Sequence, residues 1–190
     1  MLPRLLQVLL LLAGLCAGAM LFAGAPELQH DSPDHTALAN LVEITDRLHT
    51  SGQPSPQQLL ALANSGYRLV INLAPPDSTG YVTDEGARLA ASGVGYISIP
   101  VVVDALSTDQ FELFSAILGA AGERKVLVHC QSNKRASIFI FLYRTVYAGI
   151  DPGAAWQNVT AVWQPETNWL EFVQRVLQDH HIKFEPLLAE

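Results

Sequence analysis

The chain of 190 residues has only two cysteines, Cys16 and Cys130, and just 11 lysines and arginines against 18 aspartates and glutamates. So little cysteine leaves no disulfide framework to read. So little positive charge, at a formal net charge of −7, excludes the basic face that broad nucleic-acid binding requires. The histidines show no ligand pattern. His180 and His181 are adjacent near the C-terminus, and His49 with Asp46 lacks metal-site spacing, so no metal or other cofactor is implied. There are no internal repeats, which excludes a solenoid. What remains is enough chain for one domain with a substantial core.

Charge is also missing from the N-terminal stretch after Arg4. Leu5 to Leu15 is almost wholly apolar, and small residues follow at Ala17-Gly18-Ala19 and Ala23-Gly24-Ala25. This is the layout of a secretory signal peptide. The apolar run as far as Ala25 is also about long enough to span a bilayer. Residues 1–25 are therefore expected to be a signal peptide or an N-terminal membrane anchor, the anchoring then running through residues 5–25. Either way the folded part is expected to be exported, and periplasmic, secreted or anchored outside the cytoplasm. There Cys130 has no cysteine beside it for an internal disulfide and stands out as a reactive thiol.

Residues 26–40 are polar without a clear period and read as a linker, with the folded domain expected over residues 41–180. Short strands are predicted at 41–44 and 47–50. Ser55 and Pro56 open a predicted helix that Gly66 closes. Further strands are predicted at 68–73, 96–99 and 126–128. Helices are predicted at 83–92, 108–121, 136–147, 152–162 and 165–178, the last two completing an α/β sandwich. Strands that alternate with helices give an α/β fold with a central, mostly parallel sheet of four to five strands flanked by helices. Ligands of such sheets bind beyond the carboxyl ends of the strands. That edge would gather residues 72–77, 100–106 and 129–135. The tryptophans Trp156, Trp163 and Trp169 are expected to pack in the core.

The densest information lies in Val126-Leu127-Val128-His129-Cys130-Gln131-Ser132-Asn133-Lys134-Arg135-Ala136-Ser137. A buried strand is followed by a cysteine, a polar loop and a helix. Cys130 thus sits beside a helix N-terminus, where backbone N–H groups favour anions and a thiolate. Arg135 closes the loop with a planar fork suited to a tetrahedral oxyanion. The amides of Gln131, Ser132, Asn133, Lys134 and Arg135 would form an anion nest. Arg124, Lys125, Lys134, Arg135 and Arg144 are expected to cluster there and attract a small anionic substrate.

This stretch resembles the cysteine-based protein phosphatases, whose hallmark is His-Cys, five residues, Arg and then Ser or Thr. Here only four residues, Gln131 to Lys134, separate Cys130 from Arg135, and Ala136 follows the arginine. Asn133 stands in for the usual glycine, since asparagine tolerates left-handed backbone. Ser137 offers the hydroxyl one position later. The short spacing resembles a bacterial phosphatase-like subgroup, related to the domain found beside β-lactamase-type hydrolases. Thr50-Ser51-Gly52-Gln53-Pro54 and Trp163-Gln164-Pro165 carry the same resemblance.

The resemblance implies hydrolysis of a phosphomonoester, on a phosphorylated small molecule or protein, through a phosphocysteine on Cys130. Arg135 would hold the phosphoryl oxygens and His129 would support the loop. Asp104, in the loop after the 96–99 strand, is the first candidate for the acid that protonates the leaving group, ahead of Asp109 and Asp77. Two other readings stay open. Rhodanese-like sulfurtransferases carry a persulfide on a cysteine in a similar loop, often with four residues before the arginine. A non-catalytic anion-binding module would keep the loop without turnover.

Overall fold

The structure is a computed structural model that describes residues 37–186. The expected signal peptide or anchor, and most of the expected linker, lie outside the described residues. Among the described residues no helix is long and apolar enough to cross a membrane.

The five strands are β1 (Val42–Thr45), β2 (Leu48–Ser51), β3 (Tyr67–Asn72), β4 (Gly95–Ser98) and β5 (Lys125–His129). They form one sheet in the order β1-β2-β5-β3-β4. Strands β2, β5, β3 and β4 are parallel, and β1 pairs antiparallel with β2 at the edge. This is the mostly parallel α/β sheet read from the sequence. Both central strands, β3 and β5, are near-continuous apolar runs because helices cover both their faces.

The helices are α1 (Pro56–Ala61), α2 (Glu85–Ala91), α3 (Thr108–Gly119), α4 (Lys134–Val146), α5 (Pro152–Thr160) and α6 (Thr167–Asp179). Side chains alternate across the sheet. Val70 and Leu127 point to one face, with Leu59, Leu62, Leu89 and Val94 of the α1 and α2 layer. Leu69, Ile71, Val126 and Val128 point to the other, into the larger core with α3 to α6. Phe139 of α4 is central there, with ring centroids 5.4 Å from Phe114 and 5.8 Å from Phe172. Eight of the α4 residues are buried, so this helix is apolar almost all round, as a helix between layers must be.

Several boundaries differ from the sequence reading. Ser55 does cap α1, with Gln58 completing a capping box, but α1 stops at Ala61 and the chain continues in turns through Asn64 and Ser65. Both residues compete with helix through their own side chains. α2 begins at Glu85, not at 83. Asp84 precedes it and spends its carboxylate on Arg88 at 2.8 Å. α4 begins at Lys134, two residues before the predicted start.

Register brings the carboxyl ends of the parallel strands together. Ser51 and Asn72 both align with His129, and Asn72 aligns with Ser98. Cys130 therefore emerges from the middle of the sheet edge, with a strand on either side.

Candidate active site

The loop from Cys130 to Asn133 is held from outside. Gln53 N–H donates to the Gln131 carbonyl at 3.1 Å, and Asn40 Nδ2 donates to the Ser132 carbonyl at 3.2 Å. With these carbonyls turned outward, the amides of Gln131, Ser132, Lys134 and Arg135 enter no hydrogen bond among the described residues. Two of them are first-turn amides of α4, orphaned by helix geometry. The loop thus offers donors to an anion.

Asn133 carries the turn. Its φ of 69° is left-handed, a conformation that costs most residues but not glycine or asparagine. Its side chain also donates to the Asn40 carbonyl at 2.7 Å and to Thr50 Oγ1 at 2.9 Å. Gly52 is required for a different reason: an added Cβ would lie 3.1 Å from the Gln131 carbonyl and 3.3 Å from Ala39. The Thr-Ser-Gly-Gln-Pro segment is therefore the outer wall of the cysteine loop. Residues 37–40, read from sequence as the end of a linker, belong to the folded unit. Asn40 clasps the same loop, and the Ala39 carbonyl accepts from Gly52 N–H at 2.7 Å.

Cys130 is fully buried at the loop's base. His129, also fully buried, places Nε2 2.9 Å from Glu85 Oε1. The ring N–H is not aligned for a hydrogen bond, so the approach is an ion-pair distance only. Glu85 Oε2 accepts from Asn72 Nδ2 at 3.0 Å, Gln53 Nε2 at 3.3 Å and Tyr96 O–H at 3.5 Å. Burial pushes the Tyr96 hydroxyl well above its ordinary value, and the Glu85 carboxylate adds to this, so the phenol stays protonated.

Arg135 Nε donates to the Val101 carbonyl at 2.9 Å, which leaves the two terminal nitrogens of the fork for a ligand. Val103, Gln131, Ser132, Lys134, Arg135, Trp163, Glu166 and Trp169 line a pocket of about 250 Å³. Lys134 Nζ lies 4.8 Å from the centre of the Trp163 ring. Trp163 Nε1 donates to Ser137 Oγ at 3.2 Å, and that hydroxyl donates to the Lys134 carbonyl at 2.9 Å.

Other expectations need correction. Ser137 does not turn its hydroxyl to the cysteine; it anchors the tryptophan wall. Trp156 and Trp169 are buried, but Trp163 is half-buried and lines the pocket. The expected cluster of five cations is two. Lys125 stacks over Tyr67 at 4.6 Å at the opposite end of β5, beside Arg124, and Arg144 pairs with Asn158 near the far end of α4. The strand period that sends side chains to alternate faces says nothing about which end of the sheet a cation occupies.

Asp104 lies exposed in a 3-10 turn, Val103–Ala105. It is one residue from the pocket wall but not among its lining residues. Asp109 and Asp77 are exposed on α3 and on the loop after β3. Two acids were missed. Glu166 follows the Trp-Gln-Pro run and was legible there. Glu85 looks like any acid at a helix start and gave no signal.

A strand-cysteine-loop-helix unit at the centre of this sheet edge defines the cysteine-phosphatase class of α/β fold. Residues 40–146 match the family of the beta-lactamase hydrolase-like protein, phosphatase-like domain. The chain belongs to that family. It is 33% identical over 110 residues to the beta-lactamase hydrolase-like protein of Xylella fastidiosa, a match covering 56% of this chain and 25% of that one. The match thus spans about a quarter of the relative's length. A DUF442 phosphatase from Shewanella putrefaciens CN-32 superposes with a TM-score of 0.69 at 31% identity, over 75% of this chain and 92% of that one. P. aeruginosa TpbA in complex with pTyr superposes with a TM-score of 0.56 at 23% identity, over 72% and 82% of the two chains. This last likeness concerns the fold alone.

Proposed function

We propose that the protein hydrolyses phosphomonoesters through a phosphocysteine intermediate. The observation that carries this reading is the loop itself. Its carbonyls are held from outside by Gln53 and Asn40, which supports a loop whose remaining amides, with the Arg135 fork at its end, receive an anion next to Cys130. Such an arrangement stabilises charge on a transferring phosphoryl group.

The Cys130 thiolate attacks phosphorus as the ester oxygen departs. Arg135 binds two equatorial oxygens through the terminal nitrogens that Val101 leaves unused. Asp104 donates the proton that the departing oxygen needs. Water then attacks the phosphocysteine, Asp104 taking its proton, and phosphate and the thiolate are regenerated. The half-buried Trp163 and buried Trp169 give one wall of the pocket an aromatic surface, which suits an aryl or similarly flat substituent on the phosphate. The physiological substrate is a phosphorylated small molecule or protein. The apolar run of residues 5–25 supports work outside the cytoplasm, with the domain secreted or anchored.

The test compares the full chain with Cys130→Ser in EDTA, using an aryl phosphate, and in parallel thiosulfate with cyanide. Phosphate release that vanishes in the variant is the expected result. Thiocyanate formation without phosphate release would overturn it in favour of sulfur transfer.

A further inference from the structure

The buried carboxylate beside His129 has no part in that chemistry. Glu85 is 1% exposed and His129 fully buried, and a buried ionisable pair is a poor way to gain stability. The surroundings nevertheless keep the carboxylate as an acceptor. Ala74 N–H donates to Asn72 Oδ1 at 2.7 Å. That fixes the amide, so Asn72 must present its NH2 to Glu85. Gln53 and Tyr96 also offer donors. All three reach the same oxygen, Oε2, and Oε1 is left facing His129 Nε2 at 2.9 Å. The four groups come from the segment after β2, the end of β3, β4 and the start of α2. Convergence from so many elements on one carboxylate, directly behind the residue that precedes Cys130, is a built support.

We infer that Glu85 is a positioning residue for Cys130. Its carboxylate holds the His129 ring in place, with Oε1 2.9 Å from Nε2. His129 thereby fixes the start of the loop and favours the thiolate. A carboxylate that orients an imidazole beside a nucleophile is a recurrent device. Here the acid comes from a helix on the opposite face of the sheet from α4. The role deepens the phosphatase reading, yet its direct readout needs no turnover.

The sign of the effect separates this role from simple proximity. Acting through space, a negative Glu85 opposes a thiolate, so its neutralisation would move thiolate formation to lower pH. Acting through His129, its loss moves thiolate formation to higher pH. The full chain carrying Cys16→Ser leaves Cys130 as the lone thiol. Its thiolate absorbance and iodoacetamide alkylation rate would be followed against pH, with and without Glu85→Gln. We expect the midpoint to rise by about one unit and kcat on an aryl phosphate to fall roughly tenfold with KM little changed. On a His129→Gln background Glu85→Gln should add almost nothing, as expected for residues acting in series. Tyr96→Phe removes one donor from the same carboxylate while keeping the ring. It should shift the midpoint the same way by less, and it supplies the answer if Glu85→Gln does not fold. A midpoint that stays or falls, or additive effects in the cycle, overturns the inference. An upward shift in a chain that hydrolyses no phosphate would uphold Glu85 and remove the phosphatase reading instead.

Discussion

Arg135 Nε donates to the Val101 carbonyl at 2.9 Å, tying the guanidinium to the segment that leads into Asp104. One nitrogen positions the side chain and the other two enter no hydrogen bond among the described residues. Lysine has a single nitrogen and leaves none over. Arg135→Lys should therefore keep the fold and lose at least about 100-fold in kcat/KM, the scale for removing a preorganised transition-state donor. Steady-state assay alongside thermal unfolding would check this. Retained activity would mean that the amides alone hold the phosphoryl oxygens.

Asn133 is under a different constraint. Alanine there meets a left-handed backbone at a cost of about 1–2 kcal/mol and removes both donations to Asn40 and Thr50, each worth about 1 kcal/mol. Glycine accepts the backbone and loses only the bonds. Asn133→Ala should thus lose about 3–4 kcal/mol and Asn133→Gly about 2 kcal/mol in denaturant unfolding. Glycine should retain the greater share of activity. If alanine proves the milder change, the φ of 69° does not matter to the loop.

These two residues show what was legible and why. The loop is local: strand, cysteine, turn and helix follow within twelve residues, so short-range rules read it. Asn133 could be assigned a left-handed turn because its side-chain chemistry alone permits one. The sheet was legible for the same reason, from apolar runs alternating with helical spacing. The supports of the loop were not. Gln53, Asn72, Glu85 and Tyr96 come from four separate segments, and their meeting depends on strand register. Sequence spacing does not encode that. The misplaced cations failed likewise, since Lys125 and Cys130 are five residues apart yet stand at opposite ends of one strand.

His49 should give the domain an acid-sensitive step. It is 4% exposed, and its ring nitrogen Nδ1 is 2.7 Å from the Tyr67 hydroxyl. Burial, followed by the nearby Lys125 charge, holds its pKa below the ordinary 6.5. Burial first, then Glu43, pushes the Tyr67 hydroxyl up to about 12, so it remains protonated across this range. With the folded pKa depressed, the unfolded chain binds the extra proton first. Stability is then fully present above pH 6.5 and falls as pH drops from there towards the folded pKa, by no more than about 1.4 kcal/mol per pH unit. His49→Gln should lower stability at neutral pH and flatten this slope. Urea unfolding at a series of pH values would show it; an unchanged slope would assign the acid sensitivity to other groups.

The leaving-group proton provides the sharpest division of labour around the pocket. Asp104 is exposed on its 3-10 turn, beside Val103 at the wall, whereas Glu166 lines the pocket directly. A general acid contributes about 10²–10⁴-fold when the departing oxygen is basic. It contributes little when the leaving group is already a stable anion, such as a nitrophenolate. Asp104→Asn should therefore slow an alkyl phosphate by at least about 100-fold while slowing a nitrophenyl phosphate far less. Glu166→Gln should reduce both substrates alike, because an acid that only shapes the pocket acts on binding and not on the departing oxygen. The ratio of the two rates in each variant is the measurement. If the leaving-group dependence appears in Glu166→Gln and is missing from Asp104→Asn, the proton comes from the start of α6, and the segment after β4 serves only to hold Arg135 through Val101.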